Sequence, residues 1–425
     1  MSKRSILTAL ARSILAGEPT VDGIVARGST TLGKRWRWLR PLARRYIDSI
    51  AGRVRPRYRE VVQFLNDDPG VRRALAEHRD ELSVEKWLAE PQQMQPVAAA
   101  EAWGLPVIES VGALAEWLLV YPFELLWFAD LKGLAYKTRQ PRLGHYHYRA
   151  LGKGSGAIRL IEAPKPTLKE LQRRILAEIL NRIPAHPAVH GFLRGRSIRT
   201  YVSPHVGKRV VLKMDLQDFF PNITGARIQA VFRTMGYPES VADLLGGICT
   251  NSVRGYGALY ARPHLPQGAP TSPALANLCA YRADCRLAGL ARSAGAEYTR
   301  YADDLAFSGD DYFERRVERF SAHAAAILEE EGFTVHHRKT RIMRQGVRQH
   351  LAGLVANQRV NVIRADFDRL KATLTNCVRL GAASQNHAGH PLFREHLEGR
   401  VGFVETINAA KGRRLRRILE QIEWP

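Results

Sequence analysis

Three carboxylates constrain this chain more than any other feature. Asp303 and Asp304 stand side by side in Tyr301-Ala302-Asp303-Asp304-Leu305, and Asp215 ends the run Val210-Val211-Leu212-Lys213-Met214 far upstream. Residues this distant in sequence can share a ligand only if the fold sets the end of one strand beside a turn. Tyr298 to Ser308 predicts that turn: a hairpin with Asp303 at its tip, Tyr298, Thr299 and Tyr301 leading in and Leu305, Ala306 and Phe307 leading out. An isolated Asp-Asp pair is ordinary turn chemistry. Three carboxylates gathered together are instead oxygen donors suited to two Mg²⁺ ions, an arrangement that serves nucleotidyl transfer.

Charge narrows the partners. A formal net charge of +23 on 425 residues predicts a polyanionic partner, nucleic acid first, because binding releases condensed counterions. The 45% hydrophobic content excludes a disordered chain and allows two or three domains. No membrane is expected. The most apolar segment, Val107 to Leu131, is broken by Glu109, Glu116, Pro122, Glu124 and Asp130 and reads as buried helices. Ser5 to Leu15 is too short for a signal peptide and is interrupted by Arg12. Cys249, Cys279, Cys285 and Cys377 lack metal-type spacing and read as reduced core thiols of a cytoplasmic protein.

Residues 1–100 read as a basic helical extension. Lys34, Arg35, Arg37, Arg40, Arg44, Arg45, Arg53, Arg55, Arg57 and Arg59 interleave with Trp36, Trp38, Tyr46 and Tyr58. Two readings stand: an RNA-binding face with stacking aromatics, or amphipathic helices whose aromatics turn inward. Gly28 to Lys34 is not a phosphate-binding loop, since Arg35 replaces the metal-binding hydroxyl residue. Gln92 to Ala100, bracketed by Pro91 and containing Pro96, is the expected linker. A hairpin is predicted from Tyr146, through the Gly152 to Gly156 turn, to Ile161, with His145 and His147 structural because no third ligand is near. Leu168 to Ile183 is a helix with Leu171, Ile175, Leu176 and Ile179 inward; Asp311 to Glu331 is helical; Phe333 to Thr340 is a strand. Asp366 to Arg379 puts Phe367, Leu370, Leu374 and Cys377 or Val378 on one helical face, and the terminal basic helix has an inward stripe of Leu415, Ile418, Leu419 and Ile422.

Between Asp215 and the Asp-Asp pair lies Leu265-Pro266-Gln267-Gly268-Ala269-Pro270-Thr271-Ser272-Pro273, a loop entering the Ala274 to Leu287 helix. Asp215 with Phe219-Phe220, then Pro-Gln-Gly, then Tyr-Ala-Asp-Asp, in that order, resembles the palm of a reverse transcriptase, and Ala-Pro-Thr-Ser-Pro is most similar to the bacterial retron enzymes. The resemblance covers roughly 105–410. It implies an α+β right-hand polymerase fold: fingers and palm over 105–345, with the palm an antiparallel sheet plus helices, then primer grip and helical thumb over 346–425. It implies RNA-directed DNA polymerase activity, with Asp215, Asp303, Asp304 and the Leu216 carbonyl holding two Mg²⁺ ions. Arg159, Lys165, Gln267 and Gly268 are implied to bind the deoxynucleoside triphosphate. Phe220 would exclude a ribose 2′-hydroxyl, and Lys339 would protonate the leaving pyrophosphate. Asp218 is expected to frame the triphosphate pocket or cap a helix. Arg196, in the template-guiding segment Gly191 to Ile198, and Arg413, Arg414, Arg416 and Arg417 are expected to contact nucleic acid.

Two places depart from the retron pattern. Asn-Ala-x-x-His is here Tyr201-Val202-Ser203-Pro204-His205, which keeps only the histidine, and Val-Thr-Gly is Leu351-Ala352-Gly353. The implied partners are a cognate structured noncoding RNA and its RNA/DNA duplex, with a host ribonuclease H, since the chain after the thumb is too short for that domain, and an effector protein in antiphage defence. Another bacterial reverse transcriptase lineage, an RNA-dependent RNA polymerase, which Phe220 disfavours, and a non-catalytic RNA-binding scaffold are the alternatives.

Overall fold

A computed structural model describes residues 2–51, 54–88, 92–137, 141–152 and 158–424. Packing divides the chain into two units, Met1–Pro184 with Phe220–Cys279, and Ala185–Phe219 with Ala280–Pro425.

The first unit opens with five helices, Lys3–Leu15, Val21–Thr31, Leu39–Ile50, Tyr58–Asp67 and Pro69–Glu77. Their starts are chemically marked: Ser2, Thr20 and Asp68 each accept a backbone N–H of the first turn. Leu39, Leu42, Ala43 and Tyr46 form one apolar stripe, and Leu10, Leu15, Ile24 and Leu65 close the core around it. Trp36 and Tyr46 are buried in that core, so they are packing groups and not stacking platforms. Arg45 is held by Asp68 at 2.7 and 2.8 Å, and Arg55 turns its guanidinium onto the carbonyls of Leu15 and Gln93. Arg53 lies outside the described residues. The expected linker is docked: Gln95 N–H donates to Gly236 O at 2.8 Å and Met94 N–H to Glu109 at 2.9 Å. Pro91 lies outside the described residues.

β1 (Tyr146–Gly152) and β2 (Ile158–Pro164) pair antiparallel from Tyr146↔Pro164 to Gly152↔Ile158; their turn, 153–157, lies outside the described residues. Leu160, Glu162 and Pro164 share the buried face of β2. The following helix, Pro166–Glu178, starts on Pro166 and buries Leu168, Leu171 and Ile175. Leu176 is only half-buried, the inward position beside it being filled by Gln172, which donates to Ile248 O at 2.8 Å. His145 is buried against the rings of Trp127 and Phe128.

The second unit is built on a four-stranded antiparallel sheet. β3 (Val210–Asp215) and β5 (Asp304–Gly309) are central, flanked by β4 (Glu297–Tyr301) and β6 (Arg341–Arg344), in the order β4-β5-β3-β6. The central strands are buried on both faces, which explains their near-continuous apolar runs. The strand expected over Phe333 to Thr340 is displaced. Only Val335 bridges, to Leu216, while His337–Lys339 form a 3₁₀ turn and β6 follows. Four consecutive polar residues, His336 to Lys339, offer no alternate face to bury, so pairing resumes where Ile342 and Met343 supply one.

β7 (His350–Leu351), β8 (Leu354–Val355) and β9 (Asn361–Val362) form a small meander. Helices Arg364–Leu380, Phe393–Ile407 and Ala409–Leu419 follow. Phe367, Leu370, Leu374, Leu397, Val401, Leu415 and Leu419 make their shared core. Cys377 takes the inward position and Val378 is exposed. Cys285 departs from expectation: it is exposed, while the other three thiols are buried. Among the described residues no single helix is long and apolar enough to cross a membrane.

Candidate active site

β3 delivers Asp215 to the end of the sheet, where its register partner on β5 is Asp304. The β4–β5 turn has two residues, Ala302 and Asp303, because Tyr301 pairs with Asp304. Leu216 N–H donates to Asp303 O at 3.0 Å, and His336 N–H to Asp215 O at 2.7 Å. These backbone bonds fix all three carboxylates on one sheet end. In extended backbone a residue's N–H and C=O point to the same edge, so the Leu216 carbonyl faces the Asp303 side.

The turn is held in an unfavoured conformation. Ala302 has φ 56°, in the left-handed region that costs an alanine about 1 kcal/mol or more. Arg300 Nη1 donates to Ala302 O at 3.0 Å. The Arg300 guanidinium is gripped by Asp284, at 2.7 Å for both Nε and Nη2, and Tyr298 OH donates to the same carboxylate at 2.8 Å. Both ions are buried, so each depends on the other for solvation. From the other side Gly191 lies against the turn; a Cβ there would sit 2.6 Å from Ala302 N. His190 N–H bonds Arg300 O at 2.8 Å, tying the 188–191 segment along β4.

His205, the retained histidine of the altered motif, is buried behind the hairpin. Its ring joins β4 to β5, with Nε2 2.7 Å from Thr299 Oγ1 and Nδ1 2.6 Å from Ser308 Oγ. Thr299 already donates to Tyr201 O, so it accepts from Nε2–H while Nδ1 accepts from Ser308. Burial, with Lys208 and His190 nearby, pushes the imidazole down to about 3.

Electrostatically the carboxylates are unequal. Asp303 titrates above the usual carboxylate range, first because it is buried and then because Asp304 and Asp215 repel its charge, with Lys339 partly compensating. Lys339 Nζ sits 2.9 and 3.2 Å from the two Asp215 oxygens, and Lys213 Nζ lies 2.8 Å from Asp304. An ammonium straddling both oxygens of Asp215 marks a place built to hold positive charge. Among the described residues no three His, Cys, Asp or Glu side chains are grouped closely enough to hold a metal ion together, and the ammoniums of Lys339 and Lys213 lie on Asp215 and Asp304.

The remaining expected residues divide between the units. In the first, Arg159 is exposed on β2, on the face opposite Glu162. Lys165 precedes the Pro166–Glu178 helix with Nζ 3.2 Å from Arg142 O. Gln267 O accepts from Glu162 N–H at 2.8 Å, and Gly268 has φ 132°, where a Cβ would meet Glu162 O at 2.9 Å. Phe219, the last residue of a second-unit segment, and Phe220, the first of a first-unit one, lie in a short helix, Phe219–Asn222, not on extended backbone; Phe219 packs on Phe333 of its own unit and Phe220 is half-buried. The preceding Asp218 takes a left-handed φ of 46° in the turn after β3. In the second unit Arg196, Arg413, Arg414 and Arg417 are exposed, whereas Arg416 is bound to Glu405 at 3.0 and 2.5 Å. Sequence reasoning missed Arg300, Asp284, Lys213, Glu162 and His264. For Arg300, Lys213 and Glu162 the available signal was polarity at a strand position that alternation assigns to the core; Asp284, on a helix, and His264, in a loop, carry no such signal.

The family model described as reverse transcriptase (RNA-dependent DNA polymerase) matches residues 151–363. The chain belongs to the reverse transcriptase family, the RNA-directed DNA polymerases with a right-hand polymerase fold. Within that family it is of retron type. It is 44% identical over 292 residues to the retron Mx65 reverse transcriptase of Myxococcus xanthus, covering 66% of each chain. It is 36% identical over 348 residues to the retron Mx162 enzyme of the same organism, 76% of this chain and 69% of that one. The retron Ec86 enzyme of Escherichia coli is 32% identical over 267 residues, 63% of this chain and 77% of that one. The chain thus spans about two thirds of the length of the first of these relatives.

Proposed function

We propose that the chain copies part of a cognate structured noncoding RNA into single-stranded DNA, beginning from a 2′-hydroxyl of that RNA, and serves antiviral defence in the cytoplasm. The observation that supports this best is the sheet end itself. Asp215 and Asp304 are paired there at strand ends and Asp303 stands in the adjoining turn, with an ammonium already straddling Asp215. Asp215 and Asp303, with Asp304 and the Leu216 carbonyl as weaker donors, would hold two Mg²⁺ ions. When bound, these supply an acidified primer hydroxyl and charge stabilisation on the leaving pyrophosphate.

The protein's own groups do the rest. Arg159 and Lys165 bind the triphosphate, and the Gln267-Gly268 backbone bears on the nucleotide. Phe220 closes the space a ribose 2′-hydroxyl needs. Lys339, once its ammonium turns from Asp215, donates a proton to pyrophosphate. Arg196, Arg413, Arg414 and Arg417 are cations for template and duplex. A host ribonuclease H trims the RNA and an effector protein acts downstream.

The test is to purify the chain with its co-expressed neighbouring noncoding RNA and supply Mg²⁺ and deoxynucleotides, with Asp303→Ala/Asp304→Ala as control. DNA joined to RNA until debranched, and absent from the control, is the expected product. Synthesis only on added primed templates would reject the retron substrate and keep the polymerase; tight RNA binding without synthesis would make the chain a scaffold. Phe220→Ala is expected to raise ribonucleotide incorporation in the same assay, and an unchanged ratio would remove Phe220 from the pocket.

A further inference from the structure

Glu162 and His264 are fully buried in the first unit, and the polymerase chemistry uses neither. His264 Nδ1 lies 2.8 Å from the carbonyl oxygen of Arg262, and Nε2 lies 2.9 Å from Glu162 Oε2. A carbonyl only accepts, so Nδ1 carries a proton, and one further proton is held between Nε2 and Oε2. The other oxygen of Glu162 accepts from Asn251 Nδ2 at 2.7 Å. Asn251 and His264 also exchange both backbone hydrogen bonds at 3.0 Å. The pair is therefore charge-assisted and hydrogen-bonded on both sides, as a buried ionisable pair must be.

The pair joins two segments that the proposed function gives to the nucleotide. Glu162 belongs to β2, whose opposite face carries Arg159. Its N–H donates to Gln267 O at 2.8 Å, and its carbonyl lies so close to Gly268 that only a residue without Cβ fits. His264 enters the same loop, separated from Gln267 only by Leu265 and Pro266. One attachment is through backbone and the other through side chains, so together they fix the loop's rotation as well as its distance from β2.

We propose that Glu162 and His264 are positioning residues, a buried latch that holds the Gln267-Gly268 loop in register with the strand bearing Arg159 and so sets affinity for the incoming deoxynucleoside triphosphate. The inference rests on the polymerase reading above. Cutting the latch lets the loop shift while leaving the carboxylate site intact, and a misplacement of about 1 Å is enough to be felt kinetically. The effect belongs in KM for the nucleotide, not in kcat.

The experiment measures single-nucleotide incorporation by the full chain on a primed template, for wild type, Glu162→Gln, His264→Ala and the double variant, with thermal unfolding alongside. Each single variant is expected to raise KM about tenfold with kcat within about twofold. The double variant is expected to be no worse than the poorer single one, because both cut the same connection. An active wild type with unmoved KM in both singles, additive effects, or a fall in kcat alone would overturn the latch. A wild type that incorporates nothing overturns the polymerase reading and the latch with it. Should loss of the pair unfold the chain, Asn251→Ala, which removes the bond to Oε1 and a longer one to Tyr148 OH while leaving the Glu162 to His264 contact in place, carries the test: a smaller rise in KM supports the latch, and none overturns it.

Discussion

His205 and Arg300 show how single buried groups hold the β4–β5 hairpin. Neutral His205 accepts from Ser308 and donates to Thr299, a pattern that protonation would break. Its folded value near 3 lies below the ordinary value of about 6.5. The stability it contributes is therefore present above about pH 6.5 and is lost as pH falls through the window toward 3, by up to about 1.4 kcal/mol per unit. Urea unfolding at pH 7 and pH 5 should show this loss in the wild type, and His205→Gln should flatten it. Arg300 predicts a different signature. Asp284→Ala strands a buried guanidinium and should lower unfolding stability by about 3–5 kcal/mol. Asp284→Ala/Arg300→Met should recover part of that loss in thermal unfolding, since the second change removes the stranded charge.

At the scale of elements, the β4–β5 hairpin depends on the segment lying against it. Gly191→Ala would drive a methyl into Ala302 N, so nucleotide incorporation should fall about tenfold or more while unfolding stability drops by about 1–3 kcal/mol. Kinetics and thermal unfolding on the same preparation check both. This hairpin and β3 were legible in the sequence because aromatic and β-branched residues frame an Asp-bearing turn, a local signal. The β1–β2 hairpin was legible from a local signal of its own, tyrosines and isoleucines on either side of a glycine-rich run. What could not be read is set by distant partners. The polar run His336 to Lys339 looks like a strand end, yet its geometry is decided by the Asp215 carbonyl and by Leu216 across the sheet. Glu162 and Arg300 stand out as charges on the inward face of a strand, but their partners His264 and Asp284 leave no periodic trace, so neither pairing could be read. The aromatics Trp36 and Tyr46 left two readings open in sequence, and the helical stripe they join resolves them as core.

At the scale of the whole molecule, the charge of +23 predicts that the proposed RNA binding is steeply salt-dependent. Replacing exposed Arg413, Arg414 and Arg417 together with alanine should reduce the slope of log affinity against log salt by about 2, at roughly 0.7–0.9 per phosphate contact. Arg416→Ala should leave the slope unchanged, because its charge is already matched by Glu405, and should lower stability by up to about 1 kcal/mol. Filter binding across a salt series separates the two.

The docked segment around Gln95 has a consequence for how the chain is made. The core from Ile6 to Leu82 is assembled from its own residues, so it can close while the ribosome is still translating. Gln95 must wait for Gly236, and Glu162 for Gln267. For the whole of that interval β1 and β2, paired with each other, follow a closed N-terminal core and lack the loop that bonds Glu162. Newborn chains therefore pass through a stage in which the bundle is folded and unpaired β-edges are presented to the cell, the stage at which a chaperone has most to do.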